Sequence, residues 1–396
     1  MPVDFLRGVR VLEIGESRAA AFAGKLLTDL GAEVWLVERP GRGSLLRRHR
    51  PLLLRGTSGL FEFFARGARS VTVDIEHDDG PELVRRLAGL ADGVIADRAA
   101  LLAVERDSAL SAGRDGPLAR VTVSSRGAPF EAVPAGEFVD YHEGGGGYMT
   151  PGRVDDPARE YPLDMAHGGQ PGYMGGVSAA LALLQALRLA RRLGEPVWND
   201  VSNQTAIASM MVLNIPWWEY AGRAPSRIAA EGRPTRAVSG FVRVRDGRVS
   251  ISMIEEHQWD GLMRALGQPE WTELPVFATQ LDRAANWDVL CGFLEEAWRE
   301  QDADAVMRRC QAEHVPVFAV REMETILASA HEQERGFFSP SEPDGVLLPT
   351  NPWVVDGVPV SSSGAAPALG EHTRAALALL GLDEDDYAIF HDVGLV

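Results

Sequence analysis

Lysine is almost missing from this 396-residue chain: Lys25 stands alone, so arginine supplies nearly all of the positive charge. Cysteine is nearly as scarce, with only Cys291 and Cys310. Two thiols can build neither a disulfide framework nor a four-ligand zinc site, and they fit a reducing compartment. His257, His314, His331 and His372 are scattered without ligand spacing, so no metal is expected. Cations as a class are short too. The formal net charge is −17, which speaks against a nucleic-acid partner, because gripping a polyanion takes a surplus of cationic groups on some face. The opening "MPVDFLRGVRVLEIGE" has no apolar signal core with a basic flank, and no apolar run reaches the roughly 18 residues of a membrane span. A cytoplasmic protein with no membrane partner is the expectation.

What the chain has in quantity is material for a core: 45% of its residues are hydrophobic, enough for two domains. "VRVLEIG" (9–15) reads as a strand, "SRAAAFAGKLLTDLG" (17–31) as a helix stopped by glycine, and "AEVWLVE" (32–38) as a second strand. Such a βαβ unit sets its two strands parallel. "SVTVDI" (70–75), a helix over 80–90, "GVIAD" (93–97) and "ARVTVSS" (119–125) continue the alternation, which predicts an α/β fold with an open parallel sheet and helices on both faces. "YMGGVSAALALLQALRLARRLG" then predicts a long, centrally buried helix, followed by a strand over 196–202.

The stretch 221–240, rich in Arg, Gly and Pro, marks a boundary. Beyond it come a hairpin turning at Asp246-Gly247 and helices near 256–266, 284–299 and 301–313, which together predict a smaller α+β domain. The expected division is 1–224 for the first part of the large domain, 225–330 for the small one and 331–396 for a return to the large one. Glu371 or Thr373 is read as opening the last helix. Trp217, Trp218 and Tyr220 read as core packing, a dimer seam or the lining of an acyl pocket.

Two features of the first βαβ unit bear on ligands. Glu38 follows Gly15 by 23 positions, where the ribose-binding carboxylate of an NAD(P)-dependent oxidoreductase would fall. The turn itself reads "IGESRAAAFAG", however, and lacks the G-x-G-x-x-G that lets a pyrophosphate approach the helix N-terminus. The second feature is a cluster of Arg39, Arg42, Arg47, Arg48, Arg50 and Arg55, with His49 among them. It is either a solvated basic loop or an anion site, since guanidinium forks pair with phosphate oxygens through parallel hydrogen bonds.

"LRGVRVLEIGE…AAAFAGKLLTDLGAEVWLVERPG" resembles the N-terminus of the class III CoA-transferase family, which includes formyl-CoA transferases, carnitine CoA-transferases and 2-methylacyl-CoA racemases. "RGARSVTVDI", "EPVWNDVSNQTA", "DGRVSISMIEEHQWDGLMRALGQPEW", "CQAEHVPVFAVREMETILASAHEQERGFF" and "APALGEHTRAALALLGL" resemble later family blocks in the same order. The resemblance implies a Rossmann-like large domain made from both chain ends, an inserted small domain, and two subunits interlocked like links of a chain. It implies coenzyme A as ligand, an acyl-CoA thioester and a carboxylic acid as substrates, and a homodimer or a heteromer with a paralogue. Matched position by position, Arg39 and either Arg47 or Arg48 would hold the nucleotide end of coenzyme A. Val73, Asp74, Asp97 and Arg98 would line its path.

Family transferases use an aspartate at the head of the long helix, in subfamilies reading roughly G-G-H-Q-A-D-Y. Here the matching stretch is "HGGQPGY" and the aspartate's place falls on Gly172, which has no side chain to attack with. Either a neighbouring group replaces it or transfer has been lost. Asp164 and His167 lie upstream on the same loop, and Glu137 matches a family position that holds Glu or His and can serve as general acid or base. Arg126 and Ala65 depart from the family pattern around the same expected site. The reading is therefore an acyl-CoA-binding protein that transfers CoA between a thioester and an acid. Its alternative is a non-catalytic or repurposed member that serves as a partner subunit or acts on CoA- or carrier-linked acyl groups.

Overall fold

The computed structural model describes residues 4–50, 53–54, 57–105, 110, 116–130, 136–150, 165, 168–222, 238–342, 345–361 and 364–396. Two compact units are present, Met1–Ile228 with His331–Val396, and Ala229–Ala330. In the first, the alternating pattern folds as β1 (Arg10–Ile14), α1 (Arg18–Asp29), β2 (Glu33–Glu38), α2 (Gly59–Ala65), β3 (Arg69–Thr72), α3 (Gly80–Gly89), β4 (Gly93–Asp97), α4 (Arg98–Val104) and β5 (Ala119–Ser124). Then follow α5 (Glu137–Glu143), the long α6 (Gln170–Leu193), β6 (Val197–Ser202), α7 (Asn203–Ala208) and α8 (Asn214–Ala221). The strands line up as β3-β2-β1-β4-β5-β6 with every neighbouring pair parallel.

A parallel sheet is covered on both sides, and the alternation along β1 shows how. Leu12 and Ile14 point into one core with Leu83, Leu87 and Leu101 of α3 and α4. Val11 points into the other, with Ala20 and Ala23 of α1 and Ala179 and Leu183 of α6. Each fully buried aliphatic side chain contributes about 1.5–3 kcal/mol, so the two faces together fix the register of the sheet. The C-terminal segment closes the first core: Ala376, Leu377, Leu395 and Val396 are buried in it, and the Asp74 amide donates to the Leu395 carbonyl at 2.8 Å.

The glycines of α6 have a packing reason. A methyl group at Gly176 would lie 2.8 Å from Phe22 Cβ and 2.9 Å from the Ala19 carbonyl oxygen, closer than real side chains approach. Glycine thus lets α6 lie directly on α1. Burial is confined to that face, since Leu181 is 62% exposed; the helix is half-covered and not central. It is long and apolar enough to cross a membrane by length and composition, but its small-residue face is part of the core around α1 and β5. Lys25, the only lysine, is buried as well, paired with Asp29, which also accepts from Asn351 Nδ2 at 2.7 Å.

Three further expectations change. Trp217, Trp218 and Tyr220 on α8 are exposed, Tyr220 by 92%, so they are not core. Thr373 starts the helix Thr373–Leu379 but caps nothing; its hydroxyl accepts from the Thr72 amide at 2.9 Å, and a further helix, Glu384–Asp392, follows. In the second unit β7 (Val238–Val244) and β8 (Gly247–Met253) form the hairpin, and β9 (Val317–Ala319) adds to β8. Val244 pairs with Gly247, which places the turn at Arg245-Asp246, one residue earlier than the Asp-Gly signal suggests. Asp246 is held there by the Ala303 amide at 2.8 Å. Helices Glu256–Leu266, Trp287–Trp298 and Ala303–Ala312 pack Trp259, Trp287 and Trp298 into this unit's own core.

Candidate functional site

In a doubly wound sheet the loops at the carboxyl ends of the strands meet where the strand order reverses, and that is where ligands sit. Here the reversal falls between β1 and β4. The chain leaves β1 through Gly15, whose φ of +127° no other residue adopts easily, and a methyl there would run into the Asp97 carboxylate at the end of β4. Asp97 accepts hydrogen bonds from the Glu16 amide at 2.6 Å, the Ser17 amide at 2.8 Å and the Ser17 hydroxyl. Burial pushes its pKa up, while these three donors act in the opposite sense. The N-terminus of α1, the anion seat of dinucleotide-binding folds, is thus filled by the protein's own carboxylate. Glu38 is equally unavailable to a ribose, being 3% exposed and bonded to Arg47 Nε and Nη2 at 2.6 Å each and to the Ser70 hydroxyl at 2.6 Å. Both observations remove the NAD(P) reading.

On either side of this reversal point lie two stretches of groove that share Glu16, Asp97 and Ala99. The first, about 320 Å³, runs over the ends of β2 and β3 and is lined by Arg39, Arg42, Val73 and Asp74. Arg39 is held at its rim by Glu76 at 2.6 Å and Asp74 at 3.8 Å. Of the other clustered arginines, Arg47 is locked against Glu38, stacks over the Phe61 ring at 3.9 Å and reaches the Pro367 carbonyl. Arg48 donates to the Arg42 carbonyl. Arg55 lies outside the described residues. The pattern "ERPGRGSLLRRHR" therefore contains one structural arginine, and Arg39 and Arg42 as the two that line the groove.

The second stretch, about 570 Å³, lies over the ends of β4 and β5 and is lined by Arg18, Arg98, Ser125, Glu137, Asp140 and Asn203 among others. Several helices begin around it, α4 at Arg98 and α7 at Asn203 among them. Arg18 opens α1 after the Ser17 cap, Glu137 opens α5, and Gln170 opens α6 after Gly169, which takes a left-handed φ of +68°. Arg18 Nη1 meets Glu137 Oε2 at 3.1 Å. The other oxygen, Oε1, is buried and occupies the space a Cβ at Gly172 would fill. Burial pushes the Glu137 pKa up; Arg18 and the Gly172 backbone amide favour the charged form, and Asp140 opposes it. Asp140, 2% exposed, has its pKa raised by the same burial and accepts from Asn203 Nδ2 at 3.4 Å. Behind them Tyr173 packs edge-on to Phe22, with ring centroids 4.8 Å apart.

Of the sequence-level candidates, the structure brings Arg39, Val73 and Asp74 to one end of the groove, Glu137 and Arg98 to the other, and Asp97 between them. Asp164 and His167 lie outside the described residues. Arg126 is tied to Glu143 at 2.6 Å. Arg18, Asp140 and Asn203 escaped sequence reasoning. Arg18 carried a usable signal, because it sits in the first strand-to-helix turn, at the carboxyl end of the sheet.

Residues 6–373 match the model of CoA-transferase family III. The succinyl-CoA–D-citramalate CoA-transferase of Chloroflexus aurantiacus is 29% identical over 97% of this chain and 96% of its own length. The succinate–glutarate CoA-transferase of Agrobacterium fabrum is 26% identical over 95% of each. A crystal structure of a CAIB/BAIF family protein from Brucella suis superposes with a TM-score of 0.81 at 26% identity, covering 95% of this chain and 99% of that one. With the parallel sheet, the groove across its switch point and a family match spanning nearly every element described, the chain belongs to CoA-transferase family III.

Proposed function

We propose that the protein transfers coenzyme A from an acyl thioester to a carboxylic acid, with the nucleotide end of CoA beside Arg39 and Arg42 and the thioester beside Glu137. One observation carries this reading: two adjoining pockets that share Glu16, Asp97 and Ala99 set exposed arginines, suited to phosphates, on one side and a half-buried carboxylate at the start of a helix on the other. Val73, Asp74, Asp97 and Arg98 would flank the path between, and Arg48, exposed beside Arg42, would take part at the phosphate end. Asp164 and His167 belong to the segment entering α6 and are the further groups to test. The two relatives act on succinyl-CoA with D-citramalate and on succinate with glutarate, so dicarboxylic acids are the first acceptors to try.

On this reading residues 1–224 and 331–396 build the CoA-binding domain and 225–330 the inserted one. The exposed aromatic side of α8 would then meet a second subunit in an interlocked dimer. The test is to mix pure protein with succinyl-CoA or acetyl-CoA and a panel of acids and to follow new thioesters by chromatography. Absence of exchange would overturn the reading. A second reading, a partner subunit without its own transfer step, is favoured by the glycine at position 172 and by relatives described as alpha and beta subunits of a succinyl-CoA–L-malate CoA-transferase. Exchange that appears only after a paralogue is added would favour that one.

A further inference from the structure

Acyl thioesters react with amines and thiols, so a protein that meets them has every such group of its own at risk. When an amine attacks the thioester carbonyl, a C–N bond forms and the C–S bond breaks. The products are an amide, CoA thiolate and one proton. Neither thiolate nor carboxylate reopens the amide, so the damage lasts. This chain holds few groups of the kind. All but one of its 39 basic residues are arginines, whose delocalised, always protonated guanidinium does not attack. The exceptions to watch are Lys25, Cys291 and Cys310.

The fold withholds all three. Lys25 is 4% exposed on α1, with its ammonium on the Asp29 carboxylate and 5.0 Å from the centre of the Phe63 ring of α2. Asp29 has a fully buried side chain and is held in turn by Asn351 Nδ2 at 2.7 Å, while Asn351 Nδ2 also donates to the Val360 carbonyl at 3.1 Å. Three stretches of chain, α1, α2 and the C-terminal return segment, thus close over one amine. Cys310 is buried, which pushes its thiol up to about 11 and leaves little reactive thiolate. Cys291 is half-buried, and burial together with Glu295 and Asp288 raises its thiol as well.

We propose that Lys25 is a cryptic acylation site for acyl-CoA thioesters, shut in the folded protein and reached only when α1 parts from α2 and the return segment. Apart from a chain-terminal amine, no nitrogen or sulfur of the native molecule then takes a lasting acyl group. Opening has a permanent result. An acylated Lys25 has lost its charge and gained bulk in a closed space, and the buried Asp29 carboxylate has lost its cation. The modified chain does not close again. This holds whether or not the protein transfers CoA, so its test is separate from the exchange assay.

Folded wild-type protein and a peptide of residues 21–29 with a blocked N-terminus are incubated together with succinyl-CoA, and amides are mapped by mass spectrometry. Lys25 should be labelled more slowly in the protein than in the peptide, on the order of 10³-fold or more, because labelling waits for opening. Urea above the unfolding transition should abolish the difference. Equal rates in the folded protein and the peptide, or a stable acyl group on Cys291 or Cys310 of the folded protein, overturn the proposal. After labelling in urea and dilution, the wild-type chain should not regain the melting transition that a mock-treated chain regains; a labelled chain that refolds with an unchanged Tm overturns the trapping step. Lys25→Arg keeps a cation beside Asp29 and offers nothing to acylate there, so it should refold after the same treatment. Failure of that variant only after labelling places the damage elsewhere and overturns the assignment. Where the mock-treated chain or the variant does not fold, the two labelling rates of the wild-type sequence decide.

Discussion

The two ends of the groove use arginine in opposite ways. At the β2 and β3 end Arg39 has 43% of its side chain exposed and Arg42 faces solvent, so their charges are free to exchange partners and are screened by salt. At the β5 end Arg18 is 17% exposed and fixed against a Glu137 that is itself half-buried. A cation in water recruits an anionic ligand weakly and reversibly; a cation in a desolvated pocket shapes the protonation and orientation of one neighbour. The first arrangement suits binding and the second suits chemistry, and substitutions should separate the two.

The largest effect is expected from an arginine that belongs to neither role. Arg47 lies in the same cluster as Arg39 and Arg42, yet its partner Glu38 has a fully buried side chain. Removing one member of such a pair strands the other charge and costs about 3–5 kcal/mol. Arg47→Met should therefore lower the melting temperature sharply. If it instead weakens CoA binding with stability intact, the division of the cluster into structural and ligand-facing arginines is wrong.

Arg18→Met comes next, at about 10²-fold in kcat, equivalent to roughly 2.7 kcal/mol of barrier, with little change in KM. Its signature is in the pH profile. On the proposed reading Glu137 serves as a general base and must be ionised to do so, and burial already holds its pKa above the usual carboxylate range. Activity therefore falls as pH falls through that raised value. Arg18 favours the charged form, so losing it moves the acid limb to higher pH. A drop in kcat with the limb unmoved would give Arg18 some other task.

Beneath the groove Glu13 provides a carboxyl without a job. Burial, reinforced by Asp97 and Glu38, raises its pKa to about 8, so it is largely neutral at pH 7. The folded state holds this proton where the unfolded chain, at 4.5, has lost it. The stability from Glu13 is present in full below that unfolded value and drains away as pH rises toward 8. Glu13→Gln should leave the melting temperature near pH 4.5 unchanged and raise it at pH 8. Equal shifts at the two pH values would show that Glu13 is paired and charged.

Much of the sheet was legible because each strand of the first unit carries its own period: the ends of β1, β2, β4 and β5 fall within one residue of the runs read from sequence. The family could be read for the same reason, as local blocks in order. What could not be read was commitment. Arg47 and Arg39 look alike in a string of letters, and only the fold shows that Glu38 has taken one of them. Arg18 and Glu137 are far apart in the chain and meet only because α1 and α5 begin at the same end of the sheet. The glycines of "HGGQPGYMGG" suggested room for a backbone turn; their service to the α1–α6 contact and to Glu137 depends on atoms from other elements.

The smallest effect tests the binding end directly. Arg42 is exposed, and Arg39 shares its charge with Asp74 and Glu76, so on the proposed reading each would contribute a solvated phosphate contact and not a desolvated one. Arg42→Met should raise the Kd for CoA about tenfold, equivalent to about 1.4 kcal/mol, and leave kcat unaltered because the interaction is the same in ground and transition states. The wild-type Kd should also weaken between 50 and 200 mM salt, by roughly what Debye screening allows for exposed charges, whereas kcat should not respond. Salt that lowers kcat as strongly as binding would mean that the two ends are electrostatically one site, and the contrast between an exposed and a desolvated arginine would have no functional content.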